Sequence, residues 1–339
     1  MSNRRITIYD LSKELGISVS YISKALNNQK GVSERVRTLV LKKAEELNYK
    51  HNTHAANLRR GSSRTLGVIV PHINQSMFSD AISGIEKACS ENNHNLIICQ
   101  SHDNFEQEKK SIETLIHQNV DCILISVSAQ TQNSTTLEQI VKHHIHLIQF
   151  DRCLDSIESH RVENNNEEAA YEAVKSLINE GYRRIAFVGG PSHIDLYKKR
   201  KEGFLKAISE ASLPIPSNFI IEEDLGKDEA FSIAEELLKL PEAPDAFFTI
   251  SDIQALGIRQ AIKNAGKKIP ADVGLFGFAN EPFTELIEPS ISSIDQRSEE
   301  LGYQAAMVYF DKILKKSTPV EFEKRIIESR LIIRESSKR

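Results

Sequence analysis

The stretch Ile6-Thr-Ile-Tyr-Asp-Leu-Ser-Lys-Glu-Leu-Gly16-Ile-Ser18-Val-Ser-Tyr-Ile-Ser-Lys-Ala-Leu-Asn27 decides how this 339-residue chain is read. Ile8, Leu11 and Leu15 recur at i, i+3 and i+7, which gives a first helix one apolar face. Gly16 stands where that helix must stop and the chain must turn, because glycine enters the left-handed region without steric cost. Ser18 is a good N-cap for a second helix, in which Ile22, Ala25 and Leu26 face inward. Val19, Ser20, Ser23, Lys24 and Asn27 form the other face of that helix, small or polar and carrying one cation. A third helix is expected from Ser33 and Glu34 onward, with Val36, Leu39, Val40, Ala44 and Leu47 as its buried stripe.

A face of that kind suits a DNA groove lined by base edges and phosphates. Taken alone, the pattern also fits a small helical bundle whose turn merely resembles a helix-turn-helix. Charge narrows the choice. Residues 1–64 carry 13 Lys or Arg against 5 Asp or Glu, whereas the remaining 275 carry 30 against 42. A basic head on an acidic body fits a nucleic-acid module joined to something else, and the body should repel DNA.

The chain resembles the LacI/GalR family of transcriptional repressors over nearly its full length. Thr7, Tyr9-Asp10, Gly16, Ser18, Ser23, Asn27, Val32-Ser33 and Leu47-Asn48-Tyr49 carry the likeness in the head. The resemblance implies that Val19, Ser20 and Lys24 read base edges. It assigns Thr7, Ser23, Asn27, Ser33 and Tyr49 to the DNA backbone, a usual role for hydroxyls and amides. Lys24 stands where many members carry Arg, and it offers a point charge rather than a bidentate fork.

The stretch Asn52-Thr-His-Ala55-Ala-Asn-Leu58-Arg-Arg-Gly61 reads by itself as a polar linker with one weak helical turn. The resemblance implies a hinge helix that forms on DNA, with Asn52 and Ala55 in it and Leu58 wedged into the minor groove. His51 replaces the family's usual proline and Ala56 a frequent arginine.

From residue 65 onward, short apolar runs alternate with amphipathic stretches. That rhythm predicts parallel sheets covered on both faces. About 275 residues exceed one comfortable core, so two doubly wound lobes are expected. The expected fold is therefore an all-α helix-turn-helix head plus two parallel α/β lobes; the family resemblance makes them periplasmic-binding-protein-like, with chain crossings near Ser292–Asp295 and Pro319–Glu323. The expected division is a head over 1–50, a hinge over 51–64, a first lobe over 65–163 with 294–322, a second lobe over 164–293 with 323–335, and a disordered tail over 336–339.

Ligands of such sheets sit beyond the C-terminal strand ends. Asp151, Ser251-Asp252 and Ala279-Asn280-Glu281 fall at such ends, and Arg200 opens an Arg-x-x-Gly203-Phe204 segment. Carboxylates, an amide and a guanidinium suit the hydroxyls of a sugar or another small polar effector. The resemblance places Arg200 as the ligand clamp, with Asp252 and Asn280 at the other polar places and Phe78 as a stacking residue. Helix N-capping is the alternative role for Asp252. The loop Asn74-Gln75-Ser76-Met77-Phe78 lacks a proline and a phenylalanine common in the family, while Ser251 and Ala279 replace more polar residues, which argues against a plain hexose.

Catalytic readings find little support. The chain has no Walker loop, no GxGxxG after its first strand and no GxSxG. His143-His144-x-His146 straddles a helix end and a strand start, so its imidazoles cannot easily converge on one metal. Cys89, Cys99, Cys122 and Cys153 lack zinc-type spacing. No cofactor and no metal are expected. No leader sequence and no run of about 20 apolar residues is present, which predicts a cytoplasmic protein without membrane contact. The expectation is a homodimer on a palindromic double-stranded operator. The competing reading is a small-molecule-binding α/β protein or enzyme with an accessory basic head.

Overall fold

The computed structural model describes residues 6–49, 62–223, 225–315 and 321–339. The hinge residues His51, Asn52, Ala55, Ala56 and Leu58 lie outside them. Two compact units are present, one up to Ser63 and one from Arg64 to the C-terminus.

The first unit holds α1 (Ile8–Leu15), α2 (Val19–Leu26) and α3 (Glu34–Glu46). Thr7 and Asp10 form a reciprocal capping box at the start of α1, and Gly16 ends it in the left-handed region at φ 63°. Ser18 and Ser33 cap α2 and α3 with their hydroxyls. Leu11, Ile22, Ala25, Val40 and Ala44 make the small core, with Leu15, Leu26, Val36, Leu47 and Tyr49 packed around it. Leu39 does not join them. It is 48% exposed, because the core of three short helices is narrow and Val36, Val40 and Ala44 already fill the inner face of α3.

The second unit contains two parallel sheets. β1 (Thr65–Val70), β2 (Asn95–Gln100), β3 (Cys122–Ile125), β4 (His146–Phe150) and β5 (His160–Asn164) belong to the first. β6 (Ile185–Val188), β7 (Ile220–Ile221), β8 (Ala246–Thr249) and β9 (Gly274–Phe276) form the second, in the order β7-β6-β8-β9. β10 (Ser293–Asp295) and β12 (Arg330–Ile332) pair antiparallel as two strands running between the lobes. β11 (Lys324–Ile327) lies between them in sequence and completes the first sheet, whose order is β11-β5-β4-β3-β1-β2. Each sheet has an apolar cluster on both faces, as continuous apolar strands require.

Two expected boundaries are corrected. Lys324–Ile327 was expected in the second lobe, but it pairs in parallel with β5, Ile326 opposite Glu163. The chain therefore crosses at Glu328–Ser329, after that edge strand, rather than at Pro319–Glu323. The tail 336–339 is ordered. Ser336 and Ser337 are buried, Ser336 Oγ donates to Leu275 O at 2.6 Å, and the Arg339 guanidinium lies over the Tyr182 ring. A hydrogen bond to a strand edge helps provide the order.

Candidate functional site

In the head, the inner face of α2 is spent on the core through Ile22 and Ala25. Its outer face presents Ser20 and Lys24 to solvent, with Val19 and Ser23 half-buried beside them. Val19 and Ser20 sit in the first turn of α2, where unpaired backbone N–H groups favour an anion. The residues expected at the DNA backbone also have local duties. Thr7 Oγ1 donates to Asp10 Oδ2 at 2.7 Å, Ser33 Oγ accepts from the Val36 amide at 3.4 Å, and Asn27 Nδ2 donates to Ser23 O at 2.8 Å. Tyr49 packs against the head core.

In the second unit, the C-terminal ends of both sheets meet around a cleft of about 310 Å³. The first lobe supplies His72, Gln75 and Phe78 after β1, Asp103 after β2, and Asp151 and Arg152 after β4. The second lobe supplies Tyr197 and Arg200 from the helix Asp195–Glu210, Gln254 after β8, and Phe278, Ala279 and Glu281 after β9. Of the expected effector residues, Phe78, Asp151 and Arg200 line it.

Arg200 is 3% exposed. Its Nε donates to Asn166 Oδ1 at 2.9 Å and its Nη1 to Ile250 O at 2.9 Å. Burial lowers its pKa to about 10, with Asp151 and Tyr197 pulling the other way, so it stays charged at neutral pH. Asp151, held in the left-handed region at φ 57°, accepts from Ser126 Oγ at 2.8 Å. Burial raises its carboxyl pKa, opposed by Arg152 and Arg200.

Two expected residues do not line the cleft. Asp252 is wholly buried; its Oδ1 accepts from Ser293 Oγ at 2.7 Å and its Oδ2 from the Glu281 amide at 2.8 Å. Only glycine fits at Gly277, because a Cβ there would lie 2.0 Å from Asp252 Oδ1. Asn280 donates its amide to Ser293 Oγ at 2.9 Å, and its Oδ1 accepts from Arg334 Nη2 at 2.8 Å. Both residues shape the 277–281 loop that carries Ala279 and Glu281. Nor is Asp252 the N-cap of its helix; Ser251 is.

Sequence reasoning missed Asp103, Arg152, Tyr197 and Gln254. Arg152 Nη1 donates to Asp103 Oδ1 and its Nη2 to Tyr197 Oη at 3.0 Å, a bridge from the first lobe to the second. Applying the strand-end rule to β2 as well would have reached Asp103. Other bridges run from the Ser76 hydroxyl to the Glu281 carboxylate, from His193 Nε2 to Ala129 O at 2.7 Å, and from Lys199 Nζ to Glu163 at 2.8 Å.

The sequence matches "Bacterial regulatory proteins, lacI family" over residues 7–52 and "Periplasmic binding protein-like domain" over residues 174–337. The HTH-type transcriptional repressor PurR of Vibrio parahaemolyticus is 30% identical over 337 residues, spanning 98% of this chain and 99% of that one. The chain belongs to the LacI family of bacterial regulatory proteins. Catabolite control protein A of Priestia megaterium is 28% identical over 92% of this chain and 94% of its own. The lac repressor dimer bound to operator and the anti-inducer ONPF shares the fold at a TM-score of 0.85, covering 99% of this chain and all of that one at 19% identity. A LacI family regulator from Enterococcus faecium with bound ribose aligns at a TM-score of 0.70 and 26% identity, over 81% of this chain and 98% of that one.

This LacI family member is a DNA-binding transcriptional regulator with an effector-binding domain, and not an enzyme. Among the described residues, no helix is long and apolar enough to cross a membrane, and no group of His, Cys, Asp or Glu could hold a metal ion.

Proposed function

We propose that the protein acts in the cytoplasm as a homodimeric repressor of a palindromic operator. In this reading Val19, Ser20 and Lys24 meet base edges, and Thr7, Ser23, Asn27, Ser33 and Tyr49 hold the DNA backbone. A small polar effector, such as a sugar or a sugar derivative, occupies the cleft between Phe78, Asp151 and Arg200. The observation that carries the effector half is Arg200: a buried guanidinium with two nitrogens fixed by neutral acceptors and Nη2 left for a ligand among the described residues. The enterococcal relative's ribose supports the choice of class. Closure of the lobes on the effector would bias the arrangement of the DNA-binding heads and so change operator affinity.

Selection of bound fragments from random DNA at controlled salt tests the operator half. The expected product is an inverted repeat; enrichment of no sequence, or of a single half-site without its mate, refutes the dimeric reading.

A further inference from the structure

We propose that Gln254 is a ligand-reading residue of the cleft, and that the effector is a hydroxyl- or amide-bearing small molecule delivering an O–H or N–H donor to its Oε1. The proposal rests on the effector reading of the cleft given above and adds to it the polarity of the ligand at one end.

Gln254 lies in the first turn of the helix Asp252–Asn264, is 3% exposed and lines the cleft. Its Nε2 donates to Gly189 O at 3.1 Å and to Leu225 O at 3.3 Å. Those two carbonyls settle which way the amide is turned, since the opposite setting would press Oε1 against two acceptors. Oε1 is then left buried with no hydrogen-bond partner. A buried acceptor without a donor is costly; among the described residues seven other side-chain atoms share that state, but only Gln254 of these residues lines the cleft. An apolar side chain of similar length would avoid that cost but would take the Nε2 donor from the Gly189 and Leu225 carbonyls. Leu225, Ile250 and Ile253, which line the same cleft, bring no side-chain donor.

Arg200 supplies the opposite polarity. Its free N–H seeks an acceptor, while Gln254 Oε1 seeks a donor and would repel a carboxylate or phosphate. An effector satisfying both carries acceptor and donor groups together, as sugars, polyols and neutral nucleobases do.

The test uses the full chain and its melting temperature against pentoses, hexoses, their aldonic acids and nucleobases at millimolar concentration. For each probe that stabilises the protein, Kd is measured for the probe and for its deoxy or deamino analogues, on the wild type and on Gln254→Met, with Gln254→Leu as the second variant. The wild type should reject one analogue by about ten- to a hundredfold, and both variants should bring that ratio close to one. Equal weakening of every compound by both variants would make Gln254 a structural prop and overturn the inference. Arg200→Ala separates the two layers. If it abolishes binding while Gln254→Met leaves the analogue ratio intact, the cleft reading stands and the Gln254 inference falls. If neither variant alters Kd, or if no probe stabilises the chain, both fall.

Discussion

The guanidinium of Arg200 lies over the ring of Phe278, its central carbon 3.5 Å from the ring centroid. The ring face is what covers a buried cation whose hydrogen-bond partners, Asn166 and Ile250, are neutral. Stacking of this kind contributes about 0.5–2 kcal/mol, more where water is excluded. A lysine cannot hold Asn166 Oδ1 and Ile250 O in one plane and still stack. Arg200→Lys should therefore weaken effector binding by at least about tenfold, and Phe278→Leu should do so to a smaller degree. Operator titrations by fluorescence anisotropy, with and without effector, check this. An unchanged effector response in Arg200→Lys would show that charge alone is read.

Asp252 predicts a pH dependence. Burial raises its carboxyl from 3.8 to about 6, against the stabilising Glu281 amide and Ser293 hydroxyl. Between those values the folded state holds the proton more tightly than the unfolded chain. The contribution to stability is thus full below pH 4, falls as pH rises, and levels off above about pH 6. The whole change is about 3 kcal/mol at most. Urea midpoints at pH 4, 5, 6 and 7 should show the wild type losing ground to Asp252→Asn across that interval. A difference that stays constant with pH would contradict the assignment.

Thr7 separates folding from DNA contact. Loss of its capping box in Thr7→Ala should destabilise the head by about 1 kcal/mol. Asp10→Ala also breaks the box but leaves the Thr7 hydroxyl in place. If Thr7 touches a phosphate as well, Thr7→Ala will weaken operator binding more than Asp10→Ala at equal loss of stability. Matched losses would confine Thr7 to capping.

Lys24 stands exposed on α2. Replacement by Ala should relax base preference at one position of each half-site, by about 1–3 kcal/mol of discrimination. Replacement by Arg should sharpen preference for guanine there. Binding-site selection with the three proteins reads this directly. A uniform loss of affinity on every sequence would move Lys24 to the backbone set.

Tyr197 joins the lobes through Arg152. Tyr197→Phe removes one charge-assisted hydrogen bond, about 1.5–3 kcal/mol in a buried setting. The expected outcome is faster hydrogen exchange at the cleft-lining loops with the two sheets still protected. Unaltered exchange would show that the remaining bridges are sufficient.

The head was legible in the sequence because its structure is local. Thr7, Gly16, Ser18 and Ser33 act within four residues of themselves, through caps and a left-handed turn, and the apolar period marks which side of each helix is buried. The alternation of strands and helices was legible for the same reason. Leu39 shows the limit: the helical period names a stripe, but the width of the core decides which of its members are covered. The cleft was legible only in part: Phe78, Asp151 and Arg200 line it as expected, and the rest belongs to tertiary structure. Asp252 and Asn280 sit at strand ends as ligand residues would, yet Ser293 of β10 and Arg334, just beyond β12, claim their oxygens. Arg152 and Asp103 are 49 residues apart, and only the shared C-terminal edge of one sheet, in which β3 and β1 lie between β4 and β2, brings them to the same mouth. The edge strand Lys324–Ile327 and the ordered tail follow the same rule. Short polar segments acquire structure from the hydrogen-bonding edge they reach, and that edge is assembled from the whole chain.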